Sequence, residues 1–435
     1  MLPFLYASGS LIALYLTFSI FAYKNIPKIS RLVLISVAIL PLGKLIYLPI
    51  QGFMGLKFQF IFSSIVGLLW FIFKGFNRNM LIILLPISIS LLSIIFLEDY
   101  SQLFFYRYIE LAGIDEGNYT GGRESVLFRF LSLCTLLIYA ACIFSFILEN
   151  KTNSYLVAKY FVNGVFLASL VGVIIFIQVW LGNISVIDLA PISADSHVVG
   201  SFYRFNPGAN VNEFSMLIAF AIFLLPFCRF NKKEFSFYLF FFILCQFAGL
   251  TRSSYIGLLL GILFGIFFAN KPTRIFWYLS IFTFFTVFIF SILYAYVPEI
   301  KLLIDTRFAF DIGISGNERL DKFSYVFSEA GSSAFRFMFG FGWATNLYVH
   351  NVYLQLLYEV GMVGLLAFIT LFIYLVKDVF KLKPSLEKSS LAAMIAFIGC
   401  SAFFQHTLYH TQTWLILGFI AGVSKFVIYE YRKYP

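Results

Sequence analysis

The chain has 435 residues, 61% hydrophobic and 12% charged, with a formal charge of +10 and a mean hydropathy of +0.90. Soluble domains carry about twice that share of charge, and the low charge recurs along the whole length, which excludes a soluble domain tethered by one anchor. Nucleic acid is not the expected partner, because the cations are scattered through short segments between apolar runs, as orientation in a membrane requires.

A helix crossing the hydrocarbon core needs ~20 apolar residues. Runs of that kind predict spans near 2–23, 32–50, 58–73, 80–97, 127–148, 161–181, 213–228, 235–250, 253–269, 275–297, 352–376, 390–407 and 414–429. The first run, MLPFLYASGSLIALYLTFSIFAYK, lacks a basic leading segment and reads as a span rather than a cleaved signal. Long continuous runs without polar–apolar alternation exclude a β-barrel. The expected fold is all-α: one polytopic membrane helical bundle over residues 1–435, with about 12–14 transmembrane helices. Cys134, Cys142, Cys228, Cys245 and Cys400 all lie in apolar runs without metal-ligand spacing, so neither a disulfide nor a metal site is expected.

Basic clusters recur at every second loop: Lys24/Lys28/Arg31, Lys74/Arg78, Lys151/Lys159, Arg229/Lys232/Lys233, Lys271/Arg274, Lys377/Lys381/Lys383/Lys388 and Arg432/Lys433. The bias sets these loops in the cytoplasm, with the N-terminus outside and the C-terminus inside. The opposite face then holds the loops 98–126, 182–212, 298–350 and 406–413, with all four histidines, His197, His350, His406 and His410. Loops longer than ~12–15 residues are usually functional or disordered. The aromatics and paired charges of these loops favour function, so chemistry is expected on the outer face.

Three polar stretches stand out there. In GSFYRFNPGANVNEF (200–214), Arg204 precedes the turn Asn206-Pro207-Gly208, and Asn210 or Asn212 can cap the helix that follows. A helix N-terminus beside an arginine suits an anion; the simpler reading is an interfacial arginine on lipid headgroups. In GLTRSSY (249–255), a tight hairpin holds Arg252 at the interface. A guanidinium there either pairs with a carboxylate or substrate phosphate, or snorkels to headgroups. The third stretch runs through loop 298–350. Arg319, Lys322 and Tyr325 share one face of an expected amphipathic helix, followed by Gly340-Phe341-Gly342, Trp343 and the pair His350-Asn351. Asn351 can cap the next span, which leaves His350 at the lipid–water boundary as either a structural histidine or a proton carrier.

Together these stretches resemble the O-antigen ligase and O-antigen polymerase (Wzy-type) superfamily of bacterial membrane glycosyltransferases. The superfamily's signature pairs His with Asn, Ser or Gln, then nine residues, then Gly, two more, and Gly, Thr or Tyr. His350, Asn351, Gly361 and Gly364 meet it at each position. Arg319 with Gly340-Phe341-Gly342 is similar to the upstream arginine and Gly-x-Gly loop, Thr251-Arg252-Ser253 to a Thr-x-Ser-Arg element shifted by one residue, and Gly200–Asn210 to an Arg…Asn-Pro-Asn stretch with Gly208 in the last place. The clear likeness covers about residues 200–376.

The resemblance implies an inverting, metal-independent transfer with no cofactor, from an undecaprenyl-pyrophosphate-linked oligosaccharide at the periplasmic face of the bacterial inner membrane. His350 would be the general base. Arg204 and Arg252 would bind pyrophosphate. Arg319 and Asn351 are further candidate substrate contacts. Tyr255 and Trp343 either stack on sugar rings or belong to the interfacial aromatic belt. Membrane lipids and a chain-length regulator protein are the further partners. A polymerase is preferred over a ligase because the Phe- and Ile-rich composition is similar to that of divergent polymerases. The rival class is a transporter, such as a lipid-linked oligosaccharide flippase. That class calls for ionisable residues near mid-membrane and broken spans, whereas Lys44 and Lys425 are the main charges read within the spans.

Overall fold

A computed structural model describes residues 2–23, 26–46, 58–75, 78–97, 126–184, 205, 207, 211–249, 251–269, 314–343, 349, 351–405 and 407–433, with isolated positions between 273 and 301. The α-helices are α1 Leu2–Phe21, α2 Lys28–Ile39, α3 Phe58–Lys74, α4 Leu84–Ile94, α5 Val126–Glu149, α6 Lys151–Trp180, α7 Val211–Leu224, α8 Lys232–Gly249, α9 Arg252–Ile266, α10 Ile314–Ala330, α11 Ala334–Phe339, α12 Val352–Val376, α13 Leu386–Ala402 and α14 Thr411–Lys433. No strand occurs among the described residues. Among the described residues five helical stretches are long and apolar enough to cross a membrane: Phe4–Phe21, Val126–Glu149, Lys151–Trp180, Val352–Lys381 and Thr411–Glu430. Large apolar side chains stay exposed on the helix surfaces, among them Phe18, Ile72, Leu259 and Ile373, which suits contact with lipid rather than water. The protein is an all-α, polytopic membrane bundle.

Most predicted spans coincide with helices, and the departures have local causes. The run 32–50 ends its α-helix at Ile39, because Pro41 starts a tighter turn over Leu40–Leu45 and Gly43 takes φ 51°. The run 80–97 yields a short turn over Arg78–Ile83 before α4. In contrast α6 begins ten residues before its predicted start, at Lys151. There Asn150 caps it by accepting from the Thr152 amide at 3.0 Å, and the polar first turns stay helical. The predicted span 275–297 lies outside the described residues apart from isolated positions, as does the predicted loop 98–126 apart from Val126.

Small residues let the helices approach closely, the usual device where lipid supplies no hydrophobic drive between helices. On α9, Gly257 faces the Phe397 ring, Gly261 the Ala393 carbonyl and Gly265 the Ser389 carbonyl of α13. Ser389 Oγ also donates to the Gly265 carbonyl at 2.6 Å. On α14, Gly418 and Gly422 bring Ala140 and Ile147 of α5 into contact.

Described members of four basic clusters, Lys74, Lys151, Arg229 and Lys381, gather at one end of this bundle. Lys74 at the end of α3 pairs with Glu149 at the end of α5 (2.8 Å), and Lys151 at the start of α6 pairs with Glu430 near the end of α14 (3.2 Å). Asp378 takes Lys381 at 2.7 Å and Lys425 at 3.5 Å. The Arg229 guanidinium lies over the Tyr155 ring. Lys425, read from the sequence as a charge within a span, is thus a paired residue at the basic end. The Lys44 side chain lies outside the described set.

Candidate functional site

The three polar stretches approach one another at the opposite end. The chain beside Arg204 is tied to the α8–α9 hairpin: the Phe205 amide donates to the Ala248 carbonyl at 3.2 Å, and Phe205 and Pro207 pack on Gly172 of α6. As the tight spacing predicts, α8 ends at Gly249 and α9 begins at Arg252. Buried Thr251 shares a hydrogen bond with Ser215 of α7 (3.0 Å). Ser253 accepts from Gln405 Nε2 at 2.6 Å, which joins α9 to the segment after α13. The first turn of α12 meets the same segment, since the Tyr353 hydroxyl donates to the Gly399 carbonyl (3.1 Å) and its ring lies 4.6 Å from that of Phe403. The starts of α7, α9 and α12 therefore share one end with the close of α13.

The residues on either side of His350, Val349 and Asn351, are held by three sets of contacts. Asn351 caps α12, its side-chain oxygen accepting from the Leu354 amide at 3.1 Å. The Val349 amide donates to Gln355 Oε1 (3.1 Å), and Gln355 Nε2 donates to Glu359 Oε1 (2.5 Å). Val349 also belongs to a small apolar cluster with Val326 of α10, Phe341 and Tyr358. The expected amphipathic helix is α10, and its Tyr325 ring reaches Tyr358 at 6.1 Å.

Three glycines, Gly340, Gly342 and Gly361, explain how this unit is built. α12 is broken at Gly361, whose φ 66° and ψ −171° are not helical. The break frees two carbonyls, and the Gly-x-Gly loop takes both: Phe341 donates to Tyr358 O and Gly342 to Glu359 O, each at 2.9 Å. A Cβ on Gly340 would stand 2.5 Å from the Glu359 carbonyl, and one on Gly361 would strike the Met338 carbonyl. Both positions have positive φ and tolerate only glycine. Two motifs separated in the chain thus form one clamp under the residues that precede and follow His350.

Comparison with family models, curated proteins and solved structures gives no match to this chain. The site therefore rests on its own residues.

His350 and Arg204 themselves lie outside the described residues, as do the side chains of Arg252 and Arg319; their neighbours in the chain carry the geometry above. His197 and His406 lie outside them too. Tyr255 spends its hydroxyl on the Phe247 carbonyl (2.6 Å), closing the α8–α9 hairpin, while its ring stays half-buried. Trp343 is fully buried, its ring parallel to Phe368 with centroids 6.2 Å apart. In this arrangement Trp343 is a packing residue, neither a surface platform for a sugar nor part of an interfacial belt. Asn212 lies inside α7 rather than at its cap, and Asn210 lies outside the described residues.

Sequence reasoning missed Glu359 and Gln355. Glu359 is 0% exposed within α12, and Gln355 is 2% exposed. The signal was present as a glutamine and a glutamate four residues apart in an otherwise apolar run, on one helix face. Ionisable side chains in such runs mark functional sites by default. An apolar groove of about 100 Å³ opens beside this unit, lined by Tyr353, Leu356, Phe368, Ile398 and Trp414 among others. Among the described residues no group of three or more His, Cys, Asp or Glu side chains is arranged to hold a metal.

Proposed function

We propose that this protein is a polymerase of O-antigen or a related surface polysaccharide, joining undecaprenyl-pyrophosphate-linked repeat units at the periplasmic face of the inner membrane. One observation carries the reading. The segment bearing Arg204, the helix start bearing Arg252 and the capped start of α12 after His350 are linked by hydrogen bonds at the end of the bundle opposite the lysine clusters. The chemistry needs that meeting. A sugar hydroxyl attacks C1 of the lipid-linked sugar and gives its proton to the His350 imidazole. The C1–oxygen bond to pyrophosphate breaks with inversion, and the leaving group's developing charge is met by the two guanidinium groups. The groove along Tyr353, Phe368 and Trp414 offers an apolar wall beside that point.

Transfer to lipid A-core by a ligase would use the same groups. A second reading, a lipid-linked oligosaccharide flippase, is favoured by the broken helix at Gly361 and the buried Glu359, since discontinuous helices and intramembrane carboxylates are features of transporters. Lipopolysaccharide banding from a deletion strain separates the three. Core carrying a single repeat means polymerase, bare core with polymer left on the carrier lipid means ligase, and repeat units stranded on the cytoplasmic side mean flippase. Only the first outcome sustains the proposal.

A further inference from the structure

At the basic end a cavity of about 590 Å³ lies between the α5–α6 turn, the 226–229 turn, the α12–α13 connection and the last turns of α14. Its charged lining comprises Lys151, Arg229, Lys383 and Lys388 against Glu387 and Glu430. Four cations at this end are neutralised: Lys74 by Glu149, Lys151 by Glu430, Lys381 and Lys425 by Asp378. Arg229 and Lys388 are different, with no carboxylate partner among the described residues.

Each is nonetheless held in place. Lys388 is 6% exposed, and its ammonium donates to the carbonyls of Phe380 (3.0 Å) and Leu382 (2.6 Å), with the Phe268 ring 5.1 Å away. Those carbonyls take two of its three N–H donors and leave its charge unmatched. Arg229 is the one non-glycine residue at positive φ among the described residues, at 50°. Its guanidinium lies 5.3 Å from the centroid of the Tyr155 ring. A planar fork with free donors suits phosphate oxygens, and cation–π contact leaves its edge N–H groups available. Apart from Ser154, Ser385 and Tyr155 the remainder of the wall is apolar, including Phe227, Leu391, Phe426 and Val427.

We propose that this cavity is a binding site for the phosphate of an anionic phospholipid headgroup from the leaflet at the basic end. Two unmatched cations supply the anion recognition. The volume falls in the range of ligand pockets and exceeds the needs of a bare phosphate ion, and the apolar wall accommodates the glycerol and upper acyl carbons of an amphiphile. Basic pockets between membrane helices on the lysine-rich side attract anionic lipid on general electrostatic grounds. The site lies at the other end of the bundle from the proposed glycan chemistry and does not depend on it.

The test uses the full-length protein in neutral detergent, with native mass spectrometry for retained lipid and thermal unfolding for stabilisation. Phosphatidylglycerol is titrated against phosphatidylcholine as the neutral headgroup and inorganic phosphate as the free anion. Phosphatidylglycerol should be retained at one molecule per chain and raise the melting temperature. Arg229→Gln should weaken that effect about tenfold or more, the loss of a charge-assisted contact. Lys233→Gln, an exposed cation not in the cavity lining, should leave it unchanged. Equal retention of phosphatidylcholine, an Arg229→Gln protein that responds like wild type, or inorganic phosphate matching the lipid at equal concentration would each overturn the assignment.

Discussion

Replacing Gly361 with alanine should undo the clamp beneath the His-Asn pair. The residue sits at φ 66°, ψ −171°, a region held almost only by glycine, where a side chain costs about 1–3 kcal/mol. The new methyl would also meet Met338 O and Phe339 N, backbone atoms that cannot rotate aside. Either that overlap persists, at about 1–3 kcal/mol, or the loop withdraws and gives up the bonds from Phe341 to Tyr358 and from Gly342 to Glu359. Each lost bond costs about 0.5–1.5 kcal/mol, so both routes lead to a total of about 2–6 kcal/mol. Gly75 provides the control, with φ 76° and nothing within 4 Å of its would-be Cβ; Gly75→Ala carries the backbone cost alone. Thermal unfolding in detergent should rank Gly361→Ala well below Gly75→Ala. Hydrogen exchange should show lost protection at the Phe341 and Gly342 amides. Equal melting temperatures for the two variants, with both amides still protected, would refute the clamp.

Three further outcomes follow from the same contacts. Asn351→Ala should cost about 0.5–2 kcal/mol in thermal unfolding, and Asn351→Asp much less, because aspartate still accepts from the Leu354 amide. Gly261→Leu should drive a side chain into the Ala393 carbonyl and the Phe223 ring and collapse the yield of monodisperse protein. Leu259→Ala, at a residue 59% exposed on α9, should leave that yield intact. Arg204→Lys and Arg252→Lys should each lower glycan transfer strongly without loss of insertion, since a point charge loses the bidentate fork; full complementation by both would remove the pyrophosphate assignment.

Most of the bundle was legible because long apolar runs admit few structures in lipid. The run 352–376 was bounded correctly at both ends, and the cap at Asn351 and the helix through Arg319, Lys322 and Tyr325 followed from side-chain type and spacing. Hydropathy could not register the break at Gly361, because a glycine in an apolar run looks alike whether it kinks a helix or lines its face. Its partner, the Gly-x-Gly loop, lies about twenty residues upstream, so the clamp appears only once both are folded. Glu359 was overlooked for a related reason: one carboxylate barely lowers the mean hydropathy of twenty-five residues. Trp343 reads from the sequence as a sugar platform or a belt residue, yet it is buried because the clamp draws the loop against Phe368.

The most direct test of the proposed activity is transfer by purified protein supplied with lipid-pyrophosphate-linked repeat units. Wild-type protein should lengthen the glycan and release the lipid pyrophosphate, whereas His350→Ala, inserted and melting like wild type, should do neither. A His350→Ala protein that elongates at near-normal rate would contradict the account.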